Sequence, residues 1–227
     1  MTYSAILLSG GKGTRMMRSV PKQYLLLGGK PIIMHSLERL DKLSAVQEII
    51  IVCEEQYRET ITIMCEQYGI EKNVRFAPAG NTRQESVYNA VKLAVQPNVL
   101  LHEAARPFVS LSEFQALIEA SDVNVTYGYP IPYTVAVGTA HIESTLDRST
   151  LINIQLPQKF DLKLLREAHE KADSLGKSYT EDSCMVFELC GAQVSVMRGS
   201  SINLKISEPV DLITGEEIYK EFVSTRK

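Results

Sequence analysis

The chain lacks a basic excess. Its 227 residues carry 24 Lys and Arg against 27 Asp and Glu, a net charge of −3, and a surface without surplus cations offers no broad nucleic-acid footprint. Anion binding therefore has to be local. No apolar run approaches the ~20 residues of a membrane span, and the first residues show no basic segment followed by an apolar one, so a cytosolic protein is expected. The four cysteines, Cys53, Cys65, Cys184 and Cys190, form no CxxC pair; buried or half-buried thiols are expected in preference to a metal or redox centre. No repeat, low-complexity tract or Pro/Gly/Ser-rich linker divides the sequence. One sizeable domain over residues 1–227 is expected.

Two further absences fall within the most informative segment. After the apolar run Tyr3 to Leu8 the chain reads Ser9-Gly10-Gly11-Lys12-Gly13-Thr14-Arg15-Met16, and then Pro21-Lys22-Gln23-Tyr24. Lys12 is followed by Gly13, where a Walker A loop needs Ser or Thr. The third glycine of a dinucleotide fingerprint would fall at Met16. What is present is three glycines in four positions, which tolerate positive φ and let backbone N–H groups approach an anion without a Cβ in the way. Lys12, Arg15 and Lys22 add the positive charge that a triphosphate demands. The plainer alternative is a strand-to-helix turn that uses glycine for its geometry alone.

Apolar, β-rich runs at Tyr3 to Leu8, Glu48 to Cys53, Asn98 to His102 and Val123 to Pro132 alternate with helical patterns at Pro31 to Leu43, Glu54 to Tyr68 and Arg83 to Val95. That rhythm predicts an α/β fold with a mostly parallel sheet covered on both faces, whose ligands collect at the C-terminal ends of its strands. The glycine loop and His102 to Phe108 both fall there. Tyr133 to Val137 and Thr139 to Thr145, flanking Gly138, predict a hairpin inserted into the βα rhythm as a lid, a contact to a neighbouring subunit or a solvated decoration. A helix is expected from Asp161 to Gly176, and Tyr179 to Ser183 should cap another that runs through Cys190.

Glu103, on the predicted rim, either pairs with Arg106 or helps to hold Mg²⁺, which favours one or two carboxylates together with phosphate oxygens and water. Glu181 and Asp182 add a second acidic pair. Ala79 to Ser86 places a glycine turn with polar caps before a helix, suited to reading the edge of a base or only to starting the helix. Arg148 and Lys205 are cations that spacing alone does not explain.

The ordered set of Gly-rich loop, Pro21-Lys22-Gln23-Tyr24-Leu25, Gly29-Lys30-Pro31 with His35-Ser36-Leu37, Gly80 to Arg83 with Ser86-Val87, His102 to Phe108, Pro157-Gln158 with Phe160, Thr180 to Ser183, and Asn203 to Ile206 with Pro209 and Asp211-Leu212 resembles the 2-C-methyl-D-erythritol 4-phosphate cytidylyltransferases and the related ribitol 5-phosphate cytidylyltransferases. The resemblance covers nearly the whole chain. It implies a doubly wound, Rossmann-like nucleotidyltransferase domain, a homodimer formed through the hairpin arm at about residues 133–150, CTP and Mg²⁺ as ligands, and pyrophosphate release. By the same resemblance Arg15, Lys22 and Lys205 are catalytic cations, and Ser9, Gly10, Gly11 and Gly13 hold the nucleotide phosphates. Gly80, Asn81, Ser86 and Ala104 complete the nucleotide site, Glu103 and Glu181 lie at the metal, and Arg106, Thr134 and the partner subunit's Arg148 hold the acceptor phosphate.

Three positions depart from the family pattern: Glu103 and Glu181 stand where aspartates are usual, and Leu156 where a threonine precedes Pro-Gln. The added methylene moves each carboxylate by roughly 1.5 Å. Leu156 removes a hydroxyl expected at the acceptor phosphate. The acceptor expected is 2-C-methyl-D-erythritol 4-phosphate; ribitol 5-phosphate or another polyol or sugar phosphate, and a nucleotide-binding homologue with weak catalysis, are the alternatives.

Overall fold

A central seven-stranded sheet follows from the apolar runs, and their period-2 alternation decides what covers each face. The computed structural model describes residues 1–11, 16 and 20–223. Its strands are β1 (Tyr3–Leu8), β2 (Leu26–Leu27), β3 (Lys30–Pro31), β4 (Val46–Cys53), β5 (Asn73–Pro78), β6 (Asn98–Glu103), β7 (Val125–Pro130), β8 (Val135–Gly138), β9 (Ile142–Leu146), β10 (Ile152–Asp161) and β11 (Ser195–Arg198). The helices are α1 (Ile32–Asp41), α2 (Arg58–Gln67), α3 (Arg83–Leu93), α4 (Leu111–Glu119), α5 (Leu162–Ser174), α6 (Asp182–Cys190) and α7 (Pro209–Ile218).

The sheet order is β11-β7-β10-β6-β1-β4-β5. Every pairing is parallel except those of β10 with its two neighbours. Side chains alternate between two cores. Ala5, Leu7, Ile49 and Ile51 pack under α1, α2 and α4, whereas Ile6, Ile50, Val52 and Leu101 pack under α3, α5 and α6. Helices therefore lie on both faces, as the strand and helix rhythm predicts. The chain steps from β1 outward to β4 and β5 and then returns through α3 to β6 on the other side of β1. This reversal opens a crevice beyond the carboxyl ends of β1 and β6, where ligands of such sheets bind.

Several boundaries are set by local chemistry. Thr82 caps α3 by accepting from Glu85 N–H, and Asp161 caps α5 by accepting from Leu164 N–H. Gly176, at φ +61, follows the end of α5 as expected. In the predicted hairpin the turn falls one step later than Gly138, which instead ends β8 and pairs with Ile142. A Cβ at Gly138 would meet His141 O at 2.0 Å, so only glycine fits there. The hairpin is a separate two-stranded sheet whose Tyr133 (78%) and Ile142 (77%) are exposed. No helix among the described residues is long and apolar enough to cross a membrane.

Candidate active site

Four strand ends build the site. The segments that follow β1, β4, β5 and β6 line a cavity of about 620 Å³ with Ser9, Gly10, Gly11, Glu54, Gly80, Asn81, Arg83, Glu103 and Ala105; Lys22, Ser86 and Lys205 close its sides. Gly13 and Arg15 lie outside the described residues, as do Lys12 and Thr14.

Gly10 and Gly11 are not in the left-handed region, so neither uses the positive φ that glycine tolerates. Close approach explains Gly10 instead. A Cβ there would lie 2.6 Å from Ala79 Cβ, because the loop after β1 packs directly on the loop after β5. Gly11 faces open space, which leaves its backbone bare toward the cavity. Across the cavity Gly80 N–H donates to Ser86 Oγ at 3.0 Å, and Ser86 Oγ donates to Thr82 O at 2.9 Å. Asn81 N–H donates to Glu85 Oε2 at 2.7 Å. These bonds fix a polar turn with glycine backbone at its edge.

The electrostatic centre is Arg83. Its Nη1 donates to Asp182 Oδ2 at 2.6 Å, its Nη2 reaches Glu181 Oε1 at 3.4 Å and its Nε reaches Glu103 Oε1 at 3.4 Å. One guanidinium thus gathers the carboxylates of β6 and of the start of α6. Lys205 Nζ lies 3.0 and 2.9 Å from the two oxygens of Glu103, and Arg106 Nε lies 3.4 Å from Oε2. Burial alone would raise the Glu103 carboxyl, but Lys205, Arg83 and Arg106 outweigh it and hold the group at about 2. Asp182 behaves alike: burial raises it, Arg83 and His169 pull it down, and it settles at about 2. Glu181 differs, because burial dominates there and its carboxyl is raised despite Arg83.

Of the two expected metal-binding carboxylates, only Glu103 lines this cavity. Glu181 accepts from Gln158 Nε2 at 2.7 Å and lines a second, shallower cavity of about 490 Å³ beside Cys184. Its side chain does not cap α6, contrary to expectation, because Arg83 and Gln158 hold it. Among the described residues no set of three or more His, Cys, Asp and Glu is arranged to hold a metal on its own. Mg²⁺ needs less, and Glu103 fits it. The group is ionised, it faces the cavity, and its buried Oε2 accepts no directed hydrogen bond, being held by ion pairing alone.

The remaining site residues are dispersed. Ala104 is fully buried and its N–H donates to Leu8 O at 3.0 Å, so Ala105 forms the cavity wall in its place. Arg106 Nη1 donates to Asn203 O at 2.9 Å, which ties the turn after β6 to the Lys205 segment. Thr134 and Arg148 are exposed on the arm and line no part of the cavity in their own chain; Arg148 Nη1 donates to Pro132 O at 2.6 Å. Leu156 is 2% exposed and packs with Phe160 and Leu165 in the second core. Arg83, Gln158 and Gln23 have no role assigned by the sequence alone. The only sequence signal for Arg83 is a cation directly after a helix cap.

A family model described as 2-C-methyl-D-erythritol 4-phosphate cytidylyltransferase matches residues 3–221. A protein of that name from Geobacillus thermodenitrificans is 38% identical over 225 residues, 96% of this chain and 97% of its own length. The Oryza sativa protein named 2-C-methyl-D-erythritol 4-phosphate cytidylyltransferase, chloroplastic, is 36% identical over 226 residues, 97% of this chain and 75% of its own. The crystal structure of 4-diphosphocytidyl-2C-methyl-D-erythritol synthase from Anaerococcus prevotii superposes with a TM-score of 0.83 at 27% identity, covering 97% of this chain and 99% of that one.

Proposed function

The chain belongs to the 2-C-methyl-D-erythritol 4-phosphate cytidylyltransferase family, and from that premise we propose that its cavity joins CTP to 2-C-methyl-D-erythritol 4-phosphate and releases pyrophosphate. A phosphate oxygen of the acceptor attacks the α-phosphorus of CTP in line. The α–β bridging bond breaks, and its electrons leave on pyrophosphate. Positioning and charge stabilisation carry such a step, with no covalent enzyme intermediate.

Ser9, Gly10, Gly11 and Gly13 cradle the phosphates through backbone N–H groups, and Arg15 and Lys22 stabilise the charge that spreads in the transition state. Gly80, Asn81 and Ser86 hold the pyrimidine. Glu103, kept ionised by Lys205 and Arg83, holds Mg²⁺, which when bound neutralises phosphate charge; Glu181 supports it through Arg83 and is not itself a ligand. Arg106, Thr134 and Arg148 of the partner subunit take the acceptor phosphate. This last assignment requires a homodimer, and the exposed arm supports one, since an isolated two-stranded hairpin is marginal in water and Tyr133 and Ile142 gain from being covered.

The observation that carries the reading is the convergence of a bare glycine backbone, Lys22, Lys205 and an ionised Glu103 on one crevice at the reversal of the sheet. The test is pyrophosphate release with each of the four nucleoside triphosphates, paired in turn with 2-C-methyl-D-erythritol 4-phosphate and ribitol 5-phosphate. Release confined to CTP with the methylerythritol phosphate is expected. Binding of CTP without release under any pairing would make the chain a nucleotide-binding homologue.

A further inference from the structure

We infer that Gln23 is a positioning residue that turns the backbone of the glycine loop toward the nucleotide phosphates, an inference that rests on the proposed CTP site. Gln23 is 4% exposed and sits in a single 3₁₀ turn, Lys22–Tyr24. Neighbouring side chains on such a turn diverge by a third of a revolution, so Lys22 and Gln23, which both line the cavity, reach different parts of it. The Gln23 amide Nε2 donates to Ser9 O at 2.6 Å and to Gly11 O at 3.3 Å.

In a planar trans peptide unit C=O and N–H point in opposite directions. Ser9 O belongs to the same unit as Gly10 N–H; drawing the oxygen onto Gln23 therefore aims Gly10 N–H away from Gln23, and Ser9, Gly10 and Gln23 all line the cavity. Among the described residues Gly10 N–H has no acceptor. Ser9 N–H donates to Val52 O at 2.9 Å, which fixes the other side of the same residue. The loop is thus clamped with the Gly10 donor left over for an anion. Because Gln23 adjoins Lys22, the clamp also sets the distance between that donor and the cation.

The experiment compares Gln23→Met, which keeps size and shape but donates nothing, with the parent enzyme. The parent is first assayed for pyrophosphate release from CTP, so a failure of the cytidylyltransferase reading shows there, before any variant is judged. Inhibition constants for cytidine and dissociation constants for CTP are then measured on both proteins. CTP affinity is expected to fall on the order of tenfold or more, as when a preorganised donor is lost, with cytidine changed less than twofold. Equal losses for both ligands, or no loss for CTP, would reduce Gln23 to a packing role and overturn the inference. If Gln23→Met does not fold, the test passes to the parent: inorganic tripolyphosphate should shift the Gly10 amide proton downfield in ¹H–¹⁵N spectra, and an unmoved Gly10 resonance would overturn the inference.

Discussion

Replacing Arg83 by Met should cost about 3 kcal/mol of folding stability at pH 7, and the deficit should shrink in acid. Asp182 is 2% exposed and Glu103 7% exposed, and both depend on this guanidinium. Removing one partner of a buried ion pair costs about 3–5 kcal/mol, since the stranded charge cannot recover its hydration. A second route gives a similar size. Glu103 falls from 4.5 to about 2 and Asp182 from 3.8 to about 2, which at about 1.4 kcal/mol per unit is roughly 3 and 2 kcal/mol. Lys205, Arg106 and His169 supply part of that, so about 3 kcal/mol for Arg83 is consistent. Both folded values lie below the unfolded ones. Their contribution is therefore complete above about 4.5 and is lost as pH falls toward about 2. In Arg83→Met, burial acts on these carboxyls with one less opposing cation; they protonate at higher pH than in the parent, and the gap between the two proteins narrows from pH 7 to pH 4. Urea unfolding followed by circular dichroism at several pH values measures this. A loss under about 1 kcal/mol at pH 7, or a gap that widens in acid, would show that the cluster is solvated and that Arg83 does not organise it.

Three other perturbations address the cavity. Gly10→Ala should push the loop off Ala79, given the 2.6 Å approach, and lower kcat/KM for CTP on the order of tenfold; adding Ala79→Gly should restore most of it, and an unaffected single variant would contradict the packing account. Removing divalent ions with EDTA should abolish turnover, and Glu103→Gln should stay inactive at ordinary Mg²⁺; an active Glu103→Gln enzyme would leave that carboxylate as an ion-pair partner only. If Arg148 acts across a dimer, mixing Arg148→Ala with Lys22→Ala chains should recover roughly a quarter of parental activity, since about half the dimers mix and each then holds one intact site. Verified exchange without recovery would confine Arg148 to its own subunit.

The parts of the fold legible in the sequence are those whose apolar residues follow one another. Strands β1, β4 and β6 and helices α1, α2, α3 and α5 stand out from their spacing, and so does the crevice that their ends define. Strand β10 does not, because Gln155, Gln158 and Lys159 are buried in it. Their partners are distant: Lys159 Nζ donates to Ile118 O and Ala120 O at the end of α4, and Gln158 donates to Glu181. A polar strand satisfied by remote groups carries no alternation to read. Helix α4 lies outside the helices that the apolar spacing predicts, although Ser110 and Glu113 form a capping box at its start. At the site, Glu103 and Lys205 stand out in the sequence, but Arg83, the cation that joins Glu103 to α6, does not. Arg83 meets its carboxylates across 20, 98 and 99 residues of chain, separations that only the folded sheet brings together.

The central claim is that the cavity makes a phosphoanhydride bond between the α-phosphorus of CTP and the acceptor phosphate. Phosphorus NMR of the enzyme with CTP, Mg²⁺ and 2-C-methyl-D-erythritol 4-phosphate reads that bond directly. The account predicts loss of the acceptor monoester signal, two new mutually coupled resonances of a diphosphate diester, and pyrophosphate in equal amount. An unchanged acceptor signal while CTP is bound or hydrolysed would contradict it.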